Sequence, residues 1–435
     1  MFEKIIERKS TNFTLRAIKT DRFKMSRLSF NFILPADREK SPLTRLMLAV
    51  MMRGSEKYPS VVEINRRLDE FYGATVTWRV NAVGGRHIFR ISCEMLNNRY
   101  RFAGDERNIL LGVAGIVLDV LLDPLLDENG LLDEKNIESE KKIAIDAIMA
   151  KINDQKAYSA DRCRKYMLGD DISAISSEGT VEQIERFTVK ELTENIAYFL
   201  ENSVLECYYV GEEDAEELAN TIDEFLSRVK RGNAILGLTE KAFTTDRTDV
   251  QSIDEKMDVS QGRLNIGCLC GTVMSDEDYY AMNLFNEIFG GSSVAKLFIN
   301  VREKQSLCYY CYSSYHSANG TIMINCGIKK ENRDKALSEI ENQLAAMQNG
   351  EFCDEEIRTA KKTILSGMRQ INDSPSALEA FSFRRLLAGV CEELDDAAKS
   401  IERVTREDII AAAKKVKIDT VYFLSGNGEE ECDDE

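Results

Sequence analysis

At 435 residues with 43% hydrophobic content, the chain is long enough for two or three domains and too apolar for extended disorder. A net charge of −17, spread along the sequence, disfavours nucleic acid or an anionic membrane as partner. No apolar run reaches the ~18 residues of a spanning helix. The charged, amphipathic residues 1–9 do not fit a secretory signal, and eleven cysteines without a dense framework read as reduced thiols. A cytoplasmic location is expected.

Strands are expected over residues 12–18 and 25–34; in the second, Leu28, Phe30 and Phe32 alternate with Ser29, Asn31 and Ile33. Ser41-Pro42 opens a helix with Leu43, Leu46, Met47 and Val50 on one face, closed by Gly54-Ser55. A helix over 60–71 leads into strands 75–79 and 87–95, joined by Gly84-Gly85. Helical patterns follow over 108–122, 134–151 and 158–168. A capped helix over 190–200 precedes a strand over 204–210, and Glu212-Glu213-Asp214 reads as a solvated acidic run. The polar stretch 230–250 is taken as a linker between a first domain, 1–229, and a second, 251–435.

The second half begins with strands 251–259 and 262–271 and a helix over 276–289. Gly290, Gly291, Ser292 and Ser293 then form a loop whose glycines allow backbone N–H groups to approach a ligand. An amphipathic helical turn bearing Arg302 leads to a hairpin of 307–315 with 322–328. Helices over 333–348, 353–371, 375–387 and 401–415 and a strand over 420–424 complete the pattern. The acidic residues of 429–434 read as a solvated tail.

The chain repeats itself. Ile184-Glu185-Arg186-Phe187-Thr188 matches Ile401-Glu402-Arg403-Val404-Thr405, almost half the chain away. Cys207-Tyr208-Tyr209-Val210-Gly211 pairs with Val421-Tyr422-Phe423-Leu424-Ser425 at nearly the same offset, and the helix ending at Gly54-Ser55 pairs with that ending at Gly290-Gly291. Two copies of one α+β unit are expected, each a mainly antiparallel sheet with helices packed on one side.

Other constellations are thin. The only two histidines, His87 on a strand and His316 at a hairpin tip, read as surface or edge residues. Cys308 and Cys311 stand three apart on a strand, which points them to opposite faces and argues against a shared metal. No helix N-terminus presents the pair for redox work. Cys268 and Cys270 share a face and read as small core residues. Phosphate-loop spacing and a serine-hydrolase elbow are missing.

Two similar halves, the Gly-Gly-Ser-Ser loop and the run Arg302-Glu303-Lys304-Gln305-Ser306-Leu307-Cys308-Tyr309 together resemble the insulinase-like (M16) metallopeptidase family, over nearly the whole chain. The resemblance implies that Arg302 and Tyr309 bind a substrate carbonyl and that residues 290–293 line the peptide path. In that family an inverted His-x-x-Glu-His motif precedes a Gly-Ser pair, and a glutamate on a later helix is the third zinc ligand. The corresponding positions here hold Arg45, Leu48, Ala49 and Ala147. Zinc needs three or four nitrogen, sulfur or oxygen ligands, so no metal is expected on this chain.

The resemblance therefore implies a non-catalytic subunit. It would pair with a zinc-bearing homologue as a heterodimer, or with itself, and supply Arg302 and Tyr309 in trans to a peptide held in the partner's zinc site. Relatives of this kind include bacterial subunits associated with modification of elongation factor P. The alternatives are a peptide- or protein-binding scaffold with no part in catalysis, and a stand-alone peptidase with a relocated metal.

Overall fold

A computed structural model describes residues 5–232, 237 and 240–426; the acidic tail lies outside them. The chain divides into two compact units. Unit 1 comprises Met1–Met149, Ile175–Gly237 and Ile371–Arg384; unit 2 comprises Ala150–Ala174, Leu238–Gln370 and Arg385–Glu435. Each unit is thus one half of the chain plus a helix-length segment from the other half.

Unit 1 is built on six strands: β1 (Ile5–Lys9), β2 (Thr14–Lys19), β3 (Met25–Pro35), β4 (Thr75–Val83), β5 (Arg86–Leu96) and β6 (Val204–Gly211). They lie in the order β1-β2-β6-β3-β5-β4, antiparallel except for the parallel β2/β6 pair. The helices of the first half are α1 (Lys40–Met51), α2 (Val61–Asp69), α3 (Ile109–Leu122), α4 (Glu134–Ala150), α5 (Gln155–Leu168), α6 (Val181–Arg186), α7 (Val189–Asn202) and α8 (Ala215–Leu226). On one face of the sheet Leu28, Phe30, Phe32, Phe89, Ile91 and Cys207 form a core with residues of α1, α3 and α7. Burying such side chains, each contributing about 1.5–3 kcal/mol, is what holds this layer together.

The opposite face is polar yet buried. Arg27, Ser29, Asn31, Arg90, Ser92 and Glu206 are all shielded there. Glu379, from the segment Ile371–Arg384, answers this charge: it pairs with Arg27 and with Arg90 at 3.5 Å and accepts a 2.7 Å hydrogen bond from the Ser29 hydroxyl.

Unit 2 repeats the plan with β7 (Gln251–Met257), β8 (Gly262–Leu269), β9 (Cys308–His316), β10 (Thr321–Ile328) and β11 (Lys417–Gly426), in the order β7-β11-β8-β10-β9. Its one parallel pair is β7/β11. Without β1, the unit 1 order β2-β6-β3-β5-β4 maps onto this element by element, so the duplication read from short matches is a duplication of topology. The second-half helices are α9 (Tyr279–Asn286), α10 (Arg333–Gln348), α11 (Asp354–Gln370), α12 (Pro375–Ala388), α13 (Leu394–Arg403) and α14 (Arg406–Lys415). Ile266, Ile324 and Phe423 pack with α9, α10 and α14. On the other face Tyr422 and Leu424 pack with Cys163 and Met167 of α5.

The best-matched sequence segments mark equivalent caps. Thr188 and Thr405 each close a reciprocal capping box, with Glu191 and Asp408 as the partners. Three elements differ from expectation. Residues 5–9 are a strand, the acidic run ends in Asp214 as the N-cap of α8, and α13 precedes the last helix. The signal for α8 was present: Leu218, Ile222 and Leu226 follow the cap at four-residue spacing and are buried. No helix among the described residues is long and apolar enough to cross a membrane.

Candidate functional site

Within unit 2, α9 runs directly into a π-helical turn, Glu287–Gly291, and a second, Leu297–Lys304, follows after a short bend. Such widened turns are rare and recur at functional sites. Gly290 and Gly291 therefore belong to a helical turn rather than to a free loop; the irregular stretch starts at Ser292. Gly290 is buried, and a Cβ there would lie 2.5 Å from the Ser313 hydroxyl and 2.7 Å from its backbone nitrogen. That glycine lets the turn press against β9. Gly291 and Ser293 are exposed. Ser292 lines a cavity of about 230 Å³ together with Glu287, Val294 and Thr359. Burial pushes the Glu287 carboxyl above its ordinary value, against a hydrogen bond from Ser292.

The second turn carries Arg302. Its end is closed by Ser306 in the left-handed region, φ 52°, with the Ser306 N–H donating to the Arg302 carbonyl and the Leu307 N–H to that of Val301. β9 starts immediately after and packs against this turn. The Arg302 side chain is 41% exposed, 3.5 Å from Glu303 and stacked on the Phe298 ring at 4.6 Å. Tyr309 is 54% exposed. The two predicted carbonyl-binding residues thus stand on adjoining elements, both open to solvent.

Tyr309 also sits at an irregularity. β9 pairs with β10 through Cys311↔Cys326 and Tyr310↔Gly327, and then Cys308↔Ile328, so Tyr309 is an extra, unpaired residue. This bulge overturns the expectation that Cys308 and Cys311 point to opposite faces, because an inserted residue resets the alternation. Both instead pack on the core side of the sheet with Cys326. Cys268 and Cys270 are buried core residues.

The positions to which the family resemblance assigns zinc ligands are differently filled. On α1, Leu48 is fully buried in the core, and Arg45 and Ala49 are half-buried. Arg45 lies 3.9 Å from Glu178, and burial lowers its pKa from the ordinary arginine value. On α4, Ala147 is exposed, and Glu140 pairs with Arg53 at 3.3 Å. An arginine, a leucine and two alanines offer zinc no ligands. Among the described residues no group of three or more His, Cys, Asp or Glu side chains is arranged to hold a metal ion.

His87, expected at a surface or edge, is fully buried. Its Nδ1 lies 2.6 Å from the Ser41 hydroxyl and its Nε2 3.1 Å from the Ile175 carbonyl. A carbonyl only accepts, so Nε2 carries the proton and Nδ1 accepts from Ser41. His316 is exposed, as expected.

A sequence comparison decides the family. The chain is 31% identical over 421 residues, 97% of each sequence, to a probable inactive metalloprotease, YmfF, of Bacillus subtilis. This chain belongs to the M16 peptidase family. The family model for the M16 inactive domain matches residues 186–364. An uncharacterized zinc protease of B. subtilis, YmxG, is 22% identical over 70% of the chain and 73% of its own length. Among solved structures, a conserved protein from Enterococcus faecalis superposes with a TM-score of 0.90 at 23% identity, covering 98% of this chain and all of that one. An M16 inactive domain from Pseudomonas fluorescens gives 0.79 at 17% identity, covering 98% and 99%. The M16 fold expected from the repeat and from the Arg302–Tyr309 run is the fold observed.

Proposed function

We propose that this M16 chain is the non-catalytic partner of a zinc-bearing M16 homologue in the cytoplasm, and that Arg302 and Tyr309 serve as its substrate-binding half-site for peptide hydrolysis. One observation carries the reading: the two residues stand on adjoining elements and are open to solvent, while the positions at which the family resemblance would place zinc ligands hold an arginine, a leucine and two alanines. Neither side chain is consumed by the core. A guanidinium supplies a fixed positive fork and a phenol a hydrogen-bond donor, the pair suited to a polarised peptide carbonyl. The cavity beside Ser292 offers room for a neighbouring side chain of an extended peptide.

The test uses the chain alone and mixed with a zinc-bearing M16 homologue from the same genome, assayed on a peptide library. Activity is expected only in the mixture and is expected to fall 10²-fold or more, on the order of the loss of one carbonyl-stabilising donor, in Arg302→Ala and Tyr309→Phe. A mixture that hydrolyses peptides equally well with both variants sinks the half-site reading and leaves a binding scaffold. Hydrolysis by the chain alone, with stoichiometric zinc, would overturn both.

A further inference from the structure

The bulge at Tyr309 gathers three thiols that peptide binding does not use. Cys311 and Cys326 face each other directly across β9 and β10, and Cys308 stands on the same side, one bulge away. Cys311 and Cys326 are buried; Cys308 is partly open to solvent. We propose that these three residues form an oxidisable thiol site, in which the Cys308 sulfur attacks a hydroperoxide and the product is a cross-strand Cys311–Cys326 disulfide.

The chemistry follows from the placement. Directly opposed residues of an antiparallel pair have Cα atoms about 4.5–5.5 Å apart, inside the range a disulfide spans. Cys308 is the accessible member, and hydrogen bonds from Cys311 and Cys326, with the nearby Arg302 charge, hold its thiol below the ordinary cysteine value. Burial and donation to Cys308 leave the other two as thiols. The Cys308 thiolate displaces hydroxide from the peroxide and becomes a sulfenic acid. The Cys326 thiol condenses with it, losing water and forming a Cys308–Cys326 disulfide. Cys311 then attacks the Cys326 sulfur, gives up its proton and expels Cys308 as thiolate. A stabilised thiolate is the better leaving group, so exchange runs toward the buried pair. The net change is two thiols oxidised and one hydroperoxide reduced.

The test reads thiols, not hydrolysis, so its outcome is separate from that of the half-site. Iodoacetamide labelling of the full chain, mapped by mass spectrometry, is expected to proceed at Cys308 at a rate nearly flat from pH 6 to 8. Free N-acetylcysteine, an ordinary thiol, should speed up roughly tenfold per unit over most of that range. After hydrogen peroxide, the wild type is expected to show the Cys311–Cys326 crosslink. Cys308→Ser should not, and Cys326→Ser should accumulate a dimedone-reactive Cys308. The proposal fails if Cys308 labels with the pH dependence of the reference thiol. It also fails if the crosslink forms as fast in Cys308→Ser, or if peroxide drives Cys308 to the sulfinic acid without a crosslink.

Discussion

His87 shows how far a single side chain can depart from its apparent station. Burial holds its imidazole below the ordinary histidine value, against the Ile175 carbonyl and with a smaller push from the Arg45 charge. The folded state therefore keeps the neutral ring, while the unfolded chain takes up a proton near the ordinary pKa of about 6.5. Below that pH the unfolded state binds more protons, so the contribution of His87 is complete above pH 7 and is lost as pH falls toward its folded-state value. Urea unfolding at a series of pH values should show this as a difference: the stability margin of wild type over His87→Gln shrinks steadily from pH 7 to 5. A margin constant with pH would mean that the ring is not held neutral. Sequence could not place His87, because alternation in β5 assigns a face but not what covers it, and both faces of this strand are buried. The placement of Arg302 and Tyr309 on adjoining elements was legible for the opposite reason: their seven-residue spacing is a local property of one turn and the strand after it.

Among the elements, the segment Ile371–Arg384 has the most to say about charge. Glu379 is 1% exposed and is flanked by Arg27 and Arg90, each 7% exposed at the side chain. Arg90 also stacks on Phe383 at 4.6 Å, and Phe383 meets Tyr208 edge-on. Truncating one partner of a buried ionic group strands the others, at a cost of about 3–5 kcal/mol. Glu379→Ala should lose stability on that scale in urea unfolding, and Glu379→Gln, which keeps the shape and an acceptor oxygen but not the charge, nearly as much; a Gln variant close to wild type would refute the ionic account. The amphipathic pattern identified α12 and α5 as helices, but periodicity is silent on which sheet a helix meets. The β9 bulge was invisible for a related reason. It is defined by register against β10, and nothing within Cys308-Tyr309-Tyr310-Cys311 records that one residue goes unpaired.

At the scale of the whole molecule, the two copies kept their topology and diverged in their side chains: Arg45, Leu48 and Ala49 lie on α1 of the first, and Arg302 and Tyr309 lie on the second turn and β9 of the second. The duplication was readable because equivalent caps, Thr188 and Thr405, must keep side chains that satisfy the first backbone N–H groups of a helix. What the repeat could not reveal is that α5 and the segment Ile371–Arg384, which follow corresponding helices in the two halves, are each grouped with the sheet of the opposite half. The chain consequently passes between the units five times, at 149/150, 174/175, 237/238, 370/371 and 384/385. Covalent continuity between residues 232 and 240 is then only one of several ties. Cleaving a protease site engineered into that interval should yield two fragments that co-elute under native conditions and part only in denaturant. Either fragment expressed by itself would lack a strip of its own packing and should be recovered poorly, with mixing during refolding restoring both. In that sense the protein is a pair of mutually complementing halves that happen to be written as one polypeptide.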